Sequence, residues 1–540
     1  MIHIHILPEG SVFALVKKQV IIIGAGPAGI TAALELLKKS DEYQVVVLEA
    51  SQEIGGLSRT IRYHGNGMDI GDRRFYLEDA EIRTWWDAFL SRRDASESHT
   101  RDARMLARHD ASRVYYKGNF FDVPVAFTPR TIKHMGLGAS VKAGFGYIGS
   151  AMKKLPENSL ENFYINRFGR QLYTMFFEEY AEKLWWHHPG DLSVDWGTAS
   201  MRDFSPFFVS EDHAVKRSDS KESHSKHDFS YPKPGSGRLW EAVSEEVEAK
   251  GGVIYRNCRV THFDVDDGSI TGVHYTDADG VSSRIGADMV ISSMPLKDLV
   301  AGLPSVPQEI SALAQDLVYR DLVTVGLLLD KSQEPAWEKI LGQTCRILVP
   351  DADVKPGCIR IFNNLSPDMV ADPEAHVWIS LEYFCTEGDD YWHMSEEAWT
   401  NLAVSELTRM GIIHSRKSVV DSHRECVRRA YPLCVDTYGY RDRIVRYLEN
   451  VTNLWCVGGN GQHRYSSTER EMKTAFAAVR AILSGSTDKH AVWHAETEVV
   501  SKAGADDFRD VTIKKIPKKE YKPPITIQIG RKKPPKAGKK

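Results

Sequence analysis

At 540 residues the chain is long enough for more than one domain or lobe, and its 42% hydrophobic and 26% charged residues are the make-up of a globular protein. No apolar run reaches the roughly 18–20 residues of a membrane span, and seven widely spread cysteines without a C-x-x-C pair argue against a disulfide framework or a metal site. The net charge of −4 hides a basic stretch, Lys514–Lys540, with eleven Lys or Arg against one acid. That stretch is too polar and proline-rich to bury a core, is expected to be disordered, and could touch anionic surfaces; neither a nucleic-acid site nor a metal is expected. Met1–Val16 lacks a basic leader and a small-residue cleavage site, so it reads as a short extension, and cytoplasmic residence is the expectation.

The first element is the apolar run Val20–Ile23, too uniform for a surface strand and suited to a strand buried on both faces. Gly24, Gly26 and Gly29 follow at G-x-G-x-x-G spacing, and apolar residues recur at helical intervals from Ile30 to Leu37. The glycines permit a tight turn, close approach of a pyrophosphate and close helix–sheet packing. The helix N-terminus at Ala28 and Gly29 offers free N–H groups to phosphate. A second strand, Val45–Leu48, ends at Glu49 and Ala50, placing a carboxylate where ribose hydroxyls of a dinucleotide donate hydrogen bonds. The next run, Ser51–Thr60, contains Gly55, Gly56, Leu57, Ser58 and Arg59. It resembles the two-glycine extension that amine-oxidase-type flavoproteins carry behind the ribose acid, and that resemblance implies FAD.

Further along, Ile61–Tyr76 is turn-rich, Glu78–Leu90 reads as a helix, Ser91–Ser112 as a loop, and Arg113–Pro124 as strand–turn–strand with its tip at Lys117–Asn119. Helical patterns dominate from Phe127 to Trp186, with Phe168–Trp186 read as one packed helix. The polar Ser210–Ser230 reads as a mobile loop. A helix over Leu239–Lys250 precedes strands at Gly252–Thr261, Gly268–Tyr275 and before Pro295; sheet with helical cover is expected over Leu322–Leu407. The last unit, Asn453–Arg480, repeats strand, glycine turn and helix, with Thr468 and Glu471 at capping-box spacing.

Taken together, Gly24–Gly29, Glu49–Gly56, Asp69-Ile-Gly71 to Tyr76, Phe168–Trp185, Tyr231–Trp240, Leu381–Gly388 and Gly459–Tyr465 resemble the protoporphyrinogen-oxidase-like and UDP-galactopyranose-mutase-like branch of the amine-oxidase superfamily. The resemblance implies an α/β fold: a Rossmann-like FAD-binding domain (18–80, 231–300, 425–486) interleaved with a mixed α+β substrate domain (81–230, 301–424), then an extension (487–540). It also implies that Val260 passes the adenine, and that Gly459, Asn460 and Tyr465 meet the flavin. Two departures stand out: Asp72-Arg73 where relatives carry Gly-His, and Ser466–Arg470 in place of an Asn-rich run.

Three activities stay open. One is an FAD-dependent oxidoreductase in which hydride passes from a small-molecule substrate to flavin N5, with Arg73, His463, Arg464 and Tyr465 as candidate catalytic groups. Another is a mutase converting a nucleotide sugar between pyranose and furanose forms through a reduced-flavin N5–sugar adduct. Its diphosphate would be gripped by Arg170, Arg360 and Arg441, with Tyr180 beside them. The third is a non-catalytic flavin-binding protein.

Overall fold

The computed structural model describes residues 17–71, 74–76, 79–95, 105–109, 111–123, 125, 128–192, 228–334, 337–433 and 438–495. The basic stretch 514–540, Asp72-Arg73 and all of 193–227 lie outside them. A five-stranded parallel sheet is assembled from distant parts of the chain, in the order Leu454–Cys456, Met289–Ser292, Lys18–Ile23, Tyr43–Leu48 and Val253–Tyr255. Val20 to Ile23 are 4% exposed or less. Their side chains alternate between two cores: Val20, Ile22, Val45 and Val47 pack under helices Pro27–Lys39, Gly237–Ala249 and Thr468–Leu483. Ile21, Ile23, Val46 and Leu48 pack against the three-stranded sheet Arg259–Asp266, Ser269–Thr276 and Ser282–Gly286. Period-two alternation with both faces apolar is what burial of a parallel sheet on both sides demands. This is the mixed α/β arrangement with a parallel-sheet core that the glycine turn and paired strands imply.

A second, mostly antiparallel sheet has seven strands, in the order Val419–Leu433, Val318–Asp330, His376–Cys385, Cys358–Ile361, Arg346–Leu348, Ser112–Tyr116 and Asn119–Asp122. One face packs on helix Glu396–Arg409 through Trp399 and Ala403. The other shares a core with the helices between Leu160 and Trp185.

Several local expectations change. The expected single helix Phe168–Trp186 is broken at Gly169 (φ +79°), where an added Cβ would lie 2.5 Å from the Gly146 carbonyl carbon, and it contains a π turn at Thr174–Glu178. Ser91–Ser112 is not all loop: the preceding helix runs to Ala95, and Met105–His109 pairs with Asp228–Pro232. Its partner is more than a hundred residues away, so local pattern did not reveal it. Gly252–Thr261 divides at Asn257 (φ +57°) into two strands in different sheets. Helix Thr468–Leu483 is capped by the Ser467 side chain, which accepts from Arg470 N, rather than by Thr468.

Candidate active site

The first turn is built by steric necessity. At Gly24 (φ +94°) a Cβ would lie 2.3 Å from Ser293 Oγ, and at Gly29 it would lie 1.9 Å from the Gly24 carbonyl oxygen. Gly26 faces Gly56, their backbones approaching so closely that a Cβ on Gly56 (φ +53°) would sit 3.2 Å from Gly26 Cα. Gly55 N donates to Ala25 O at 2.9 Å, so the two glycine turns form one cradle. No side chain caps helix Pro27–Lys39. The N–H groups of Ala28 and Gly29 and the positive end of the helix dipole are therefore left for an anionic ligand. Glu49 is buried; its Oε2 accepts from Ala25 N at 2.7 Å and its Oε1 from Ser51 N at 2.9 Å. Ser51 Oγ also donates to Oε1 at 2.7 Å; the three bonds orient the carboxylate and leave an Oε2 lone pair for a hydroxyl donor. Ala50 is exposed beside it. Cys258 N donates to Glu49 O at 2.8 Å, which brings buried Val260 to the same edge.

Arg59 donates from Nη1 to Gly56 O at 2.9 Å and from Nη2 to Glu425 Oε1 at 3.0 Å, while its buried Nε has no hydrogen-bond partner. Burial raises the affinity of Glu425 for a proton, but the His423 ring 3.8 Å away and the charge and hydrogen bond of Arg59 outweigh it and hold this carboxyl below its usual range. Ser58 is buried, its carbonyl accepting from Ser236 Oγ at 2.9 Å, and Leu57 packs on the core behind it.

The last glycine turn closes on the first. Gly458 (φ +74°) leaves only 3.0 Å between a would-be Cβ and the Ala28 Cβ, and its N–H donates to Thr474 Oγ1 at 2.8 Å. Gly459 is buried there, and Asn460 Nδ2 donates to Arg429 O at 3.2 Å. Tyr465 is buried, 6.2 Å edge-on from Trp185 and 6.0 Å stacked on Tyr431.

Three neighbouring candidates take structural positions. His463 is 1% exposed in the left-handed conformation (φ +50°), with Nε2 3.3 Å from Leu433 O and its ring against Tyr319. Burial pushes its pKa down to about 4, so it is neutral at physiological pH and cannot serve as a resting acid. Arg441 is buried, donating from Nε to Gln462 O at 2.7 Å, and Arg464 donates from Nη1 to Trp493 O at 3.0 Å. Both hold the glycine turn from behind. Arg170 is 68% exposed, paired with Glu161 at 3.4 Å. The structure does not bring Arg170 or Arg441 to Arg360, because the break at Gly169 turns the former outward and the latter is committed to the Gln462 carbonyl. Arg73 lies outside the described residues.

Arg360 sits in a different cluster, at a narrow opening lined by Asp69, Gly71, Arg74, Tyr231, Arg346 and Arg360 among others. Arg360 pairs with Glu382, and Glu382 Oε1 also accepts from Gly71 N at 3.1 Å. Arg346 lies directly opposite Arg360 on the adjacent strand and donates from Nε to Ser112 Oγ at 3.3 Å. Tyr180, buried nearby, feels the charges of Arg346, Glu382 and Arg360; burial drives its pKa well above the usual value, so it is a neutral hydroxyl. Asp69 accepts from Tyr231 OH at 2.7 Å and from Ser236 N at 3.1 Å, linking this cluster to Ser58 and the cradle. Two strand hydroxyls on the same side, Thr324 Oγ1 and Ser380 Oγ, are fully buried without hydrogen-bond partners. Sequence reading missed Arg346, Glu382, Asp69 and Glu425 as site residues. The signal was present as charges inside strand patterns, such as Glu382 within Leu381–Phe384.

The chain is similar to known proteins over most of its length. The model of the family described as flavin containing amine oxidoreductase matches residues 27–483. L-amino-acid oxidase of Crotalus adamanteus and L-amino-acid oxidase apoxin-1 of Crotalus atrox are each 26% identical over 290 residues, 51% of this chain and 50% of theirs. The chain thus spans about half the length of the curated relatives it matches. Among solved structures, reduced UDP-galactopyranose mutase superposes with a TM-score of 0.70 at 18% identity, covering 89% of this chain and 98% of that one. A putative protoporphyrinogen oxidase from Exiguobacterium sp. 255-15 gives 0.64 at 14% identity, covering 87% and 99%. These likenesses establish the fold.

Proposed function

The chain belongs to the flavin containing amine oxidoreductases, and from that premise we propose that it is an FAD-dependent oxidoreductase taking a hydride from a small molecule that bears an anionic group. The cradle fits the dinucleotide. Gly26 and Gly56 leave room for a pyrophosphate, the uncapped helix at Ala28 and Gly29 supplies donors, Glu49 suits a ribose, and Arg59 Nε is a buried donor awaiting an acceptor. Bound FAD supplies a two-electron acceptor; the chain supplies binding, orientation and electrostatics.

The observation that carries the substrate class is the direct cross-strand opposition of two buried arginines, Arg346 and Arg360, with Glu382 bonded to the second. Two guanidinium groups side by side can offer a carboxylate or phosphate charge-assisted, bidentate hydrogen bonds. Tyr180 orients the bound anion as a neutral hydroxyl, while Phe384, Tyr431 and Tyr465 exclude water from the neighbouring volume. An α-amino acid is one substrate of this class, in keeping with the L-amino-acid oxidases. The same pair of arginines also suits a diphosphate, which keeps nucleotide-sugar isomerisation as a second reading.

An anaerobic titration of the purified holoprotein decides. Bleaching of the flavin absorbance near 450 nm (roughly, as for any oxidised flavin) by an L-amino acid or another carboxylate supports oxidation. A furanose product from UDP-galactose after dithionite reduction, with no metabolite able to bleach the flavin, sinks the oxidoreductase in favour of the isomerase. A bound flavin that neither metabolite nor nucleotide sugar affects sinks both.

A further inference from the structure

Helix Leu137–Met152 is packed inside out. Its buried positions are the small Ser140, Ala143 and Ser150, and at Gly146 its backbone lies against Gly169. The large apolar residues face outward: Leu137 is 74% exposed, Phe145 74%, Ile148 57% and Met152 84%, with Val141 and Tyr147 about half exposed. Leu137, Val141, Phe145, Ile148 and Met152 recur every three or four residues, so they form one continuous stripe along the helix. An exposed stripe of this size on a described surface marks an interaction site rather than ordinary surface scatter.

Charge decides between occupants. From Val123 to Pro156 the chain has no Asp or Glu, but it carries Arg130, Lys133, Lys142, Lys153 and Lys154. Lys133, Lys142, Lys153 and Lys154 are all exposed. A second copy docking on this face would set these cations against their own equivalents, because a two-fold contact presents the same patch from both sides. An apolar stripe flanked by lysines instead matches a bilayer interface, where the apolar side chains enter the acyl boundary and the ammonium groups meet anionic headgroups. No helix among the described residues is long and apolar enough to cross a membrane.

We propose that the outward face of helix 137–152 docks the protein peripherally on an anionic lipid surface. The helix lies along the membrane plane, with Phe145 and Ile148 at the centre of the inserted stripe and Lys142, Lys153 and Lys154 at its edges.

Flotation of the full-length holoprotein with extruded vesicles tests this. Wild-type protein is expected to float with phosphatidylcholine–phosphatidylglycerol vesicles, less with phosphatidylcholine alone and less as salt rises. Phe145→Ser combined with Ile148→Ser is expected to lower the bound fraction by about tenfold or more, while flavin absorbance and the cooperative melt stay as in wild type. Met152→Ser, at the most exposed position, gives an independent reading if the double variant folds poorly. Failure of the wild type to float with the anionic vesicles overturns the proposal. So does undiminished flotation of the serine variants, which would assign binding to another basic segment such as Lys514–Lys540. A dimer that these variants dissolve, in protein that ignores vesicles, overturns it in favour of self-association.

Discussion

On one face of the seven-stranded sheet, Val323, Val325, Leu327, Ile379 and Leu381 pack against Trp399 and Ala403 in an all-apolar core. On the other, the alternate residues Thr324, Ser380, Glu382, Arg360 and Arg346 are equally buried but polar or charged. Both faces share one backbone and one hydrogen-bond ladder, so the contrast isolates what side chains are kept for. An apolar replacement of a buried ion pair is often neutral or stabilising, so stability alone does not account for Arg360 and Glu382 on this face. The proposed substrate-binding role does: the charged face opens toward the Gly71 turn and, through Asp69 and Ser236, toward the glycine-turn cradle. The apolar face carries the stability.

The sharpest way to break this contrast is Glu382→Ala, which removes the carboxylate paired with the buried Arg360 guanidinium. A loss of about 3–5 kcal/mol is expected in urea denaturation, and the double change Arg360→Met with Glu382→Leu recovers most of it while abolishing substrate turnover. If the double variant turns over normally, the charged face has no binding role.

At the start of strand Val318–Asp330, Tyr319 packs on His463, and this gives the next largest effect. The folded pKa of about 4 lies below the ordinary value, so the unfolded chain takes up the proton first as pH falls. The stabilisation held by neutral His463 is complete above about pH 6.5 and is lost progressively toward pH 4, roughly 3 kcal/mol across that window. His463→Asn, chosen because Asn tolerates positive φ, is expected to flatten this slope in denaturation curves collected from pH 7 to 4 (about the window set by the two pKa values). An unchanged slope would assign it to other groups.

Arg346→Met tests the binding face more gently. It is expected to raise KM for the substrate by about 10–100-fold, or about 1.4–2.7 kcal/mol, while the flavin spectrum and the melting transition hold. A change in kcat with KM intact would contradict an anchoring role. The smallest effect belongs to the apolar face: Ile379→Val is expected to cost about 0.5–1.5 kcal/mol of stability and leave KM and the flavin untouched.

The dinucleotide cradle was legible before the structure because its determinants are local. Gly24, Gly26 and Gly29 must be glycines for reasons set within one turn, and Glu49 follows at a spacing fixed by one helix and one strand. Gly55 and Gly56 extended that reading, and their contact with Ala25 and Gly26 follows from it. The candidate arginines fared differently. Arg170, Arg360 and Arg441 look alike in sequence, yet one is exposed, one lies in the charged cluster and one clamps the Gln462 carbonyl. Local pattern cannot rank them, since a guanidinium on a strand or helix end reaches solvent, site or backbone according to what packs around it.

The sequence by itself determined a parallel α/β core, its first glycine turn and an acid, Glu49, held beside that turn, because strand burial, glycine sterics and helix termini act over neighbouring residues. Only the tertiary structure decided which charges converge. Arg346, Arg360, Glu382 and Gly71 come from four separate segments, and their meeting depends on strand register and on the fold bringing the Asp69–Gly71 turn onto the sheet. It also turned the large side chains of helix 137–152 outward, since the close backbone approach of Gly146 to Gly169 admits only small residues on the inner side.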